Sequence, residues 1–280
     1  MTKEPRTYPA GVTCWIDTDQ PDVDAALEFY GGLFGWTFDE ATPPDAPQRY
    51  VIAQLAGRDA AAIAGPRTRR ESGEAIWSTY VAVDDTDAAT ERLVSLGATE
   101  VMAPVDAGPG GRASTLTDPE GAELRLWQAR QRLGVQATNE PGAWNFSDLH
   151  TADADAAADF YVQAFGWSLD DLGYATAIRV PGYGDHLEST VDPDIRTRQA
   201  SAPEGFEDVI GGLAPVANGE APHWHVTFTV ADRDESAASV ERLGGTVVSS
   251  GQDDWTRNAL VRDPAGARFT VSQFAPSEWD

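Results

Sequence analysis

The sequence predicts an α+β protein of two tandem domains, each assembled from two β-α-β-β-β modules. Three observations predict it. FYGGLFGW (29–36) recurs as FYVQAFGW (160–167), identical at five of eight positions and offset by 131 residues. Two later blocks recur as well: YVAVDDTDAATERLVSLGATEV (80–101) is answered by TFTVADRDESAASVERLGGTVV (227–248), and DPEGAELRLWQ (118–128) by DPAGARFTVSQ (263–273). Within each copy, a strand, a helix-period segment and three short strands follow one another twice. Units of this length, present twice, indicate duplicated domains rather than a solenoid.

The elements follow in order. A strand over 12–17 leads into a helix over 22–34, where Val23, Ala26, Leu27, Tyr30, Leu33 and Phe34 share one face at a 3.6-residue period. Pro21 suits its first turn and Gly35 its end. Short strands are expected near 36–40, 50–55 and 60–64. The pattern restarts with a strand over 77–83, where Trp77, Thr79, Val81 and Val83 alternate with Ser78, Tyr80 and Ala82. A helix over 86–96 and strands near 99–103, 112–117 and 123–128 complete the first copy. The D-P-x-G stretches fit type I turns between strands. The repeated aromatic octet reads as the end of the helix that packs each half-sheet, a fold marker without chemistry.

The offset grows from 131 to 147 between the first and second modules, so the second copy carries an insertion, placed at 182–206. Its Gly, Pro and charge read as a loop with at most one short helix, and VPGYGDHLE as a lid over a cleft. The polar stretch ARQRLGVQATNEPG (129–142) reads as interdomain. The expected domains are 8–130 and 143–275, with a linker at 131–142.

Composition excludes several classes of function. Forty-five acidic residues against 20 basic ones give a net charge of −25, which repels nucleic acid and anionic membrane. Cys14 is the single cysteine, which rules out an internal disulfide and a cysteine metal cluster; it reads as a buried thiol. The N-terminal segment MTKEPRTYPAGVT lacks the apolar core of a signal peptide, and no run of 18 apolar residues occurs. A cytoplasmic protein, monomer or homodimer, is the expectation. No G-x-G-x-x-G after a strand, Walker loop or G-x-S-x-G is present, so nucleotide cofactors are not expected.

A helix ending in FY…LFGW after a short strand, a V-x-D-x-D start to the second helix and a closing D-P-x-G hairpin resemble the vicinal oxygen chelate superfamily. That superfamily includes glyoxalase I, extradiol dioxygenases, fosfomycin-resistance transferases and bleomycin-binding proteins. CWID, FYGGLFGW, DPEGAELRLWQ and HWHVTFTV are most similar to its two-domain, actinobacterial-type glyoxalase-like proteins, sometimes labelled hydroxylases. The resemblance covers nearly the whole chain. It implies a cupped mixed β-sheet around a cleft in each domain. It does not fix an activity, because one scaffold hosts many chemistries.

The resemblance also implies where a divalent metal would be held. The first-strand ligand lies fourteen residues before the Phe of each FY pair, which gives Trp15 and Phe146. The second-module strand gives Ser78 and His225, and the last strand, seven residues after the D-P-x-G aspartate, gives Arg125 and Thr270. In the first domain an indole, a hydroxyl and a guanidinium cannot replace imidazoles and carboxylates. Trp15, Asp17, Ser78 and Arg125 then either line a small-molecule pocket or fill it themselves.

The second domain holds more donors. His223 and His225 lie two apart on one strand, and Asp148 and His150 follow Phe146 on the same face of another. His186 and Glu188 lie in the insertion. The leading expectation is a metal-independent binder of a small, partly aromatic molecule, in metabolite handling or resistance by sequestration. Phe146, His150 and Thr270 would contact it, with Asp148, His223 and His225 as acid–base groups. Alternatively, two His and one carboxylate hold a non-haem iron, or His with carboxylates hold zinc. The protein is then a glyoxalase-like lyase or isomerase, or an oxygenase or hydroxylase. A divalent ion (Zn, Ni, Mn or Fe(II)) sits at His225 in that reading. A third class is an interaction protein with vestigial clefts.

Overall fold

Four aspartates start the four long helices. In the computed structural model, which describes residues 5–66, 75–172 and 176–276, Asp22, Asp85, Asp153 and Asp232 are extended N-caps. Their carboxylates accept the backbone N–H three residues on, from Ala25, Ala88, Ala156 and Glu235, at 2.9–3.1 Å. Each cap satisfies an N–H that the helix cannot, and contributes about 1 kcal/mol. The helices that carry the two FY motifs stop at Gly35 and Gly166, both left-handed with φ near 70°. A side chain there would strain the backbone.

The first half runs β1 (Thr13–Asp19), α1 (Val23–Phe34), β2 (Thr37–Glu40), β3 (Tyr50–Leu55) and β4 (Arg58–Ala64). Its second module is β5 (Ile76–Ala82), α2 (Thr86–Ser95), β6 (Thr99–Asp106), β7 (Gly111–Thr117) and β8 (Glu123–Ala129). The second half begins β9 (Trp144–Thr151), α3 (Ala154–Phe165), β10 (Ser168–Asp171) and β11 (Thr176–Arg179). Two short helices, α4 (Tyr183–Thr190) and α5 (Ile195–Arg198), and a 3₁₀ turn at Phe206–Asp208 precede β12 (Val209–Pro215). The last module is β13 (His223–Thr229), α6 (Arg233–Arg242), β14 (Thr246–Gln252), β15 (Thr256–Arg262) and β16 (Arg268–Phe274). Pro21 lies just outside α1, since the cap is Asp22.

Each half forms one eight-stranded mixed sheet, ordered β2-β3-β4-β1-β5-β8-β7-β6 and β10-β11-β12-β9-β13-β16-β15-β14. β1 with β4 and β5 with β8 pair parallel, as do β9 with β12 and β13 with β16. The hairpins between them are antiparallel. The architecture is α+β, two mixed sheets with helices, as the repeat predicts.

Compactness groups the chain differently from the sheets. One unit comprises Met1–Trp15, Thr79–Gly134 and Ser147–Trp224; the other comprises Ile16–Ser78, Val135–Phe146 and His225–Asp280. Each therefore combines one module of each half. The aromatic helix face, expected to pack its half-sheet, also meets residues of the other half. Tyr30 of α1 meets Trp36 and Trp77 of its own half and also Phe269; Phe34 meets Trp36, Phe228 and Phe269. In the other unit Tyr161 stacks on Trp167 within a core that also holds Val81, Leu93, Leu116 and Leu126 of the first half. Trp36 Nε1 donates to the Gly142 carbonyl and Trp167 Nε1 to the Gly11 carbonyl, both at 2.7 Å.

The insertion is also more ordered than composition suggests. Tyr183, Leu187 and Ile195 are buried in the core of their unit. Tyr183, Leu187 and Val191 recur every four residues, a helical stripe hidden among Gly and charge. Arg196 ties α5 to Asp185, Glu188 and Glu207. The linker carries buried Val135 and Ala137, and its Gln136 N–H donates to the Asp59 carbonyl at 2.6 Å.

Candidate functional site

Strand alternation creates the site in the second half. Along β9 the buried Ser147, Leu149 and Thr151 alternate with half-buried Phe146, Asp148 and His150. Along β13 the buried Trp224, Val226 and Phe228 face the helices: Trp224 Nε1 donates to the Tyr161 hydroxyl at 3.2 Å, and Phe228 packs on Phe34. His223 and His225 point the other way.

Three of the chain's four histidines converge. One ring nitrogen from each of His150, His223 and His225 lies within 4.8 Å of the others. The His150 and His223 rings sit 4.7 Å apart at 33°. His223 Nδ1 is 2.9 Å from the Ala221 carbonyl. A carbonyl only accepts, so Nδ1 carries the proton and the neutral ring's lone pair lies on Nε2. His225 Nε2 is 2.8 Å from Thr270 Oγ1, one strand over on β16. Asp148 is pushed up to about 6 by burial, partly offset by the Gly212 N–H that its carboxylate accepts. Gly212 leaves the space: a Cβ there would stand 2.8 Å from Asp148 Oδ1.

His186 lies elsewhere. Its Nε2 is 3.1 Å from both the hydroxyl and the carbonyl of Thr7, and Glu188 pairs with Arg196.

The first-half residues are sealed. Trp15 is 5% exposed, Asp17 0%, Ser78 2% and Arg125 2%. Asp17 accepts from the Tyr50 hydroxyl at 3.1 Å. Arg125 pairs with Glu123 at 3.1 Å, donates to the Tyr80 hydroxyl at 3.3 Å and lies 5.6 Å from that ring's centre. Such a cation is answered by its own neighbours.

The metal register implied by the resemblance does not fit these residues. Trp15, Ser78 and Arg125 offer no ligand set, and among Phe146, His225 and Thr270 only His225 is an imidazole. The trio instead uses His150 and His223, which that register does not mark. Sequence reasoning grouped both among the candidates by strand parity. It gave no sign of Gly212, Tyr50 or Tyr80 as supports, since their roles depend on pairing between distant strands.

Comparison with known proteins adds the lineage. Residues 146–272 match the "Glyoxalase-like domain" family, and residues 20–126 match the "Glyoxalase/Bleomycin resistance protein/Dioxygenase superfamily". CFP32 of Mycobacterium bovis, described provisionally as a glyoxylase, is 35% identical over 274 residues, covering 97% of this chain and 98% of CFP32. The anthracycline biosynthesis protein DnrV of Streptomyces peucetius is 31% identical over 277 residues, covering 94% of each chain. Among solved structures, the Mn(II)-bound glyoxalase of Novosphingobium aromaticivorans superposes with TM-score 0.59 at 13% identity, covering 94% of this chain and 82% of that one. The 2,3-dioxygenase LapB of Pseudomonas sp. KL28 superposes with TM-score 0.59 at 12% identity, covering 98% and 97%. These two show a shared fold. Among the described residues, no helix is long and apolar enough to cross a membrane.

Proposed function

The chain belongs to the glyoxalase/bleomycin resistance protein/dioxygenase superfamily, and on that footing we propose that its second half binds a small, oxygen-bearing organic molecule. The observation that carries this reading is the contrast in burial. Asp148, His150, His223 and Phe146 are partly open, whereas Trp15, Asp17, Ser78 and Arg125 are closed in by their own neighbours. Half-buried polar groups beside an aromatic ring suit an organic ligand with carbonyl or hydroxyl groups. Two relatives, one described as a glyoxylase and one assigned to anthracycline biosynthesis, are named for small-molecule chemistry. The proposal takes 8–130 and 143–275 as the domains, and a cytoplasmic monomer or homodimer as the working form.

The test is titration of the full chain with an anthracycline and with a vicinal dicarbonyl compound, by calorimetry and tryptophan fluorescence. Saturable binding, weakened at least tenfold in Phe146→Ala and Asp148→Asn and kept in Ser78→Ala, is expected. Binding lost in Ser78→Ala but kept in the second-half variants would transfer the site to the first half.

The histidine trio favours a second reading, an enzyme of the lyase, isomerase or oxygenase type acting in the same half. Turnover of a bound compound, absent in His225→Ala, separates the enzyme from the binder.

A further inference from the structure

We propose that two copies of this chain associate through the β14 edges of their second sheets, paired antiparallel about a two-fold axis. β14 is separated from β13 by two strands, and the inference does not depend on what the second half binds.

The four sheet edges differ in how they are protected. An edge strand offers a row of backbone N–H and C=O groups to any other strand, and short length, charge, proline or bulges block such pairing. The edges are β2, β6, β10 and β14. β2 and β10 are four residues long and end in two acids each, Asp39 and Glu40 or Asp170 and Asp171. β6 carries Glu100, Pro104 and Asp106, and its register shifts twice. β14 is seven residues long and reads TVVSSGQ, with neither charge nor proline. A single bulge between Val247 and Ser249 interrupts it. Six of its seven residues are exposed, Val248 to 43%. Among the described residues no strand pairs with its outer side.

The edge is also held in place for pairing. Arg233 Nη1 of α6 donates to the carbonyls of Gly251 on β14, at 3.1 Å, and Asn258 on β15, at 2.8 Å. A strand fixed before association has less freedom left to lose.

Charge selects a second copy as the occupant. Two chains of net charge −25 repel each other over most of their surface. Residues 225–276 are the exception, with five basic and seven acidic residues against 20 and 45 in the whole chain. The charges there are also arranged along β14. Exposed Arg262 is the β15 neighbour of Thr246, at one end, and exposed Asp253 and Asp254 follow Gln252, at the other. Antiparallel pairing centred on Ser249 sets Thr246 opposite the other copy's Gln252. Arg262 of each copy then lies at the same end of the interface as the other copy's Asp253 and Asp254. A two-fold axis repeats the match, as a self-complementary patch requires. A parallel pair would set like charges together.

Length sets the strength. Seven residues extend over about 23 Å. One strand pair of that length falls short of the roughly 1,600 Å² of a standard interface, so a reversible association in the micromolar range follows.

The experiment follows the full, untagged chain by sedimentation velocity and light scattering from about 1 to 200 µM, a range that brackets a micromolar dissociation constant. The average mass should rise from 30.0 kDa toward twice that value. Hydrogen exchange at β14 amides should slow with concentration, while that at β6 amides should not. Val248→Asp and Ser250→Asp should each weaken association at least tenfold, and Val101→Asp on β6 should leave it unchanged. Arg262→Glu should weaken it, and adding Asp254→Arg to Arg262→Glu should restore it. Circular dichroism confirms that every variant is folded. A chain that stays monomeric throughout, or a dimer indifferent to both β14 substitutions, overturns the proposal. Neither result bears on the ligand titrations, which are read within a single chain.

Discussion

The Tyr30 hydroxyl donates to Asp263 Oδ2 at 2.8 Å, across 233 residues of sequence and from one half of the chain to the other. Gln20 Nε2 donates to the same oxygen at 2.7 Å, and Trp77 Nε1 donates to the Tyr30 hydroxyl at 3.0 Å. The relationship is repeated in reverse: Tyr161 of the second half donates to Asp118 of the first at 3.0 Å, and receives Trp224 Nε1. The tyrosine of each FY motif thus meets the D-P-x-G aspartate of the opposite copy. Each aspartate also caps its own turn through Oδ1, which accepts the N–H of Ala265 and Ala267, or of Glu120 and Ala122.

Tyr30→Phe removes a buried donor and strands the Trp77 N–H. A loss of about 1–3 kcal/mol is expected in urea unfolding. A double-mutant cycle with Asp263→Asn should show coupling well outside additivity. Additive losses would mean that the bond contributes nothing of its own.

Asp118 titrates above the ordinary carboxylate range, chiefly because burial disfavours its charge, against hydrogen bonds from Ala122 and Tyr161 that favour it. A raised carboxyl contributes stability that is complete below about pH 4, the unfolded-state value, and is lost as pH rises through the folded-state value. Urea unfolding of the wild type and of Asp118→Asn, compared between pH 3.5 and 7, should show this fall in the wild type alone. Parallel curves would exclude a contribution from Asp118.

Arg125 is buried against Glu123 and Tyr80. Arg125→Met takes the guanidinium away from a mostly buried carboxylate, and about 3–5 kcal/mol should be lost in denaturant. Glu123→Gln with Arg125→Met should recover part of it. Ligand binding in the second half should stay intact at temperatures where the variant is folded.

Two adjacent glycines should behave differently. A Cβ at Gly211 would collide with the Ser147 carbonyl of the neighbouring strand, while one at Gly212 would press on the Asp148 side chain and stand at ordinary contact distance, 3.5 Å, from the Thr176 carbonyl. Gly211→Ala should lower stability by about 1–3 kcal/mol. Gly212→Ala should cost less stability but weaken ligand binding, by displacing Asp148. Equal thermal shifts in the two variants would contradict this account.

Much of the fold was legible because the chain writes its pattern twice. Aspartate caps, the 3.6-residue stripes ending in Gly35 and Gly166, and the D-P-x-G turns are local signals. They mark element type without reference to distant contacts. Strand parity likewise put Asp148, His150, His223 and His225 among the candidates. The helices of the insertion were masked, because Tyr183, Leu187 and Val191 form a stripe that composition dilutes. Which first-half groups would be sealed was also not legible. Trp15, Asp17 and Arg125 are polar or aromatic enough to line a cleft, but Tyr50 reaches Asp17 and Tyr80 reaches Arg125 from other strands, and Glu123 pairs with Arg125 from its own strand.

The sequence by itself determined the repeated module, its helix ends and the face on which each histidine stands, because these follow from backbone periodicity and local hydrogen bonding. Tertiary structure alone decided that Tyr30 meets Asp263 rather than Asp118, and that the rings of His150 and His223 come together. The two copies carry nearly the same aromatic faces and the same turns, so local chemistry cannot choose between partners. The choice is made by how strands separated by scores of residues pack the same apolar surface.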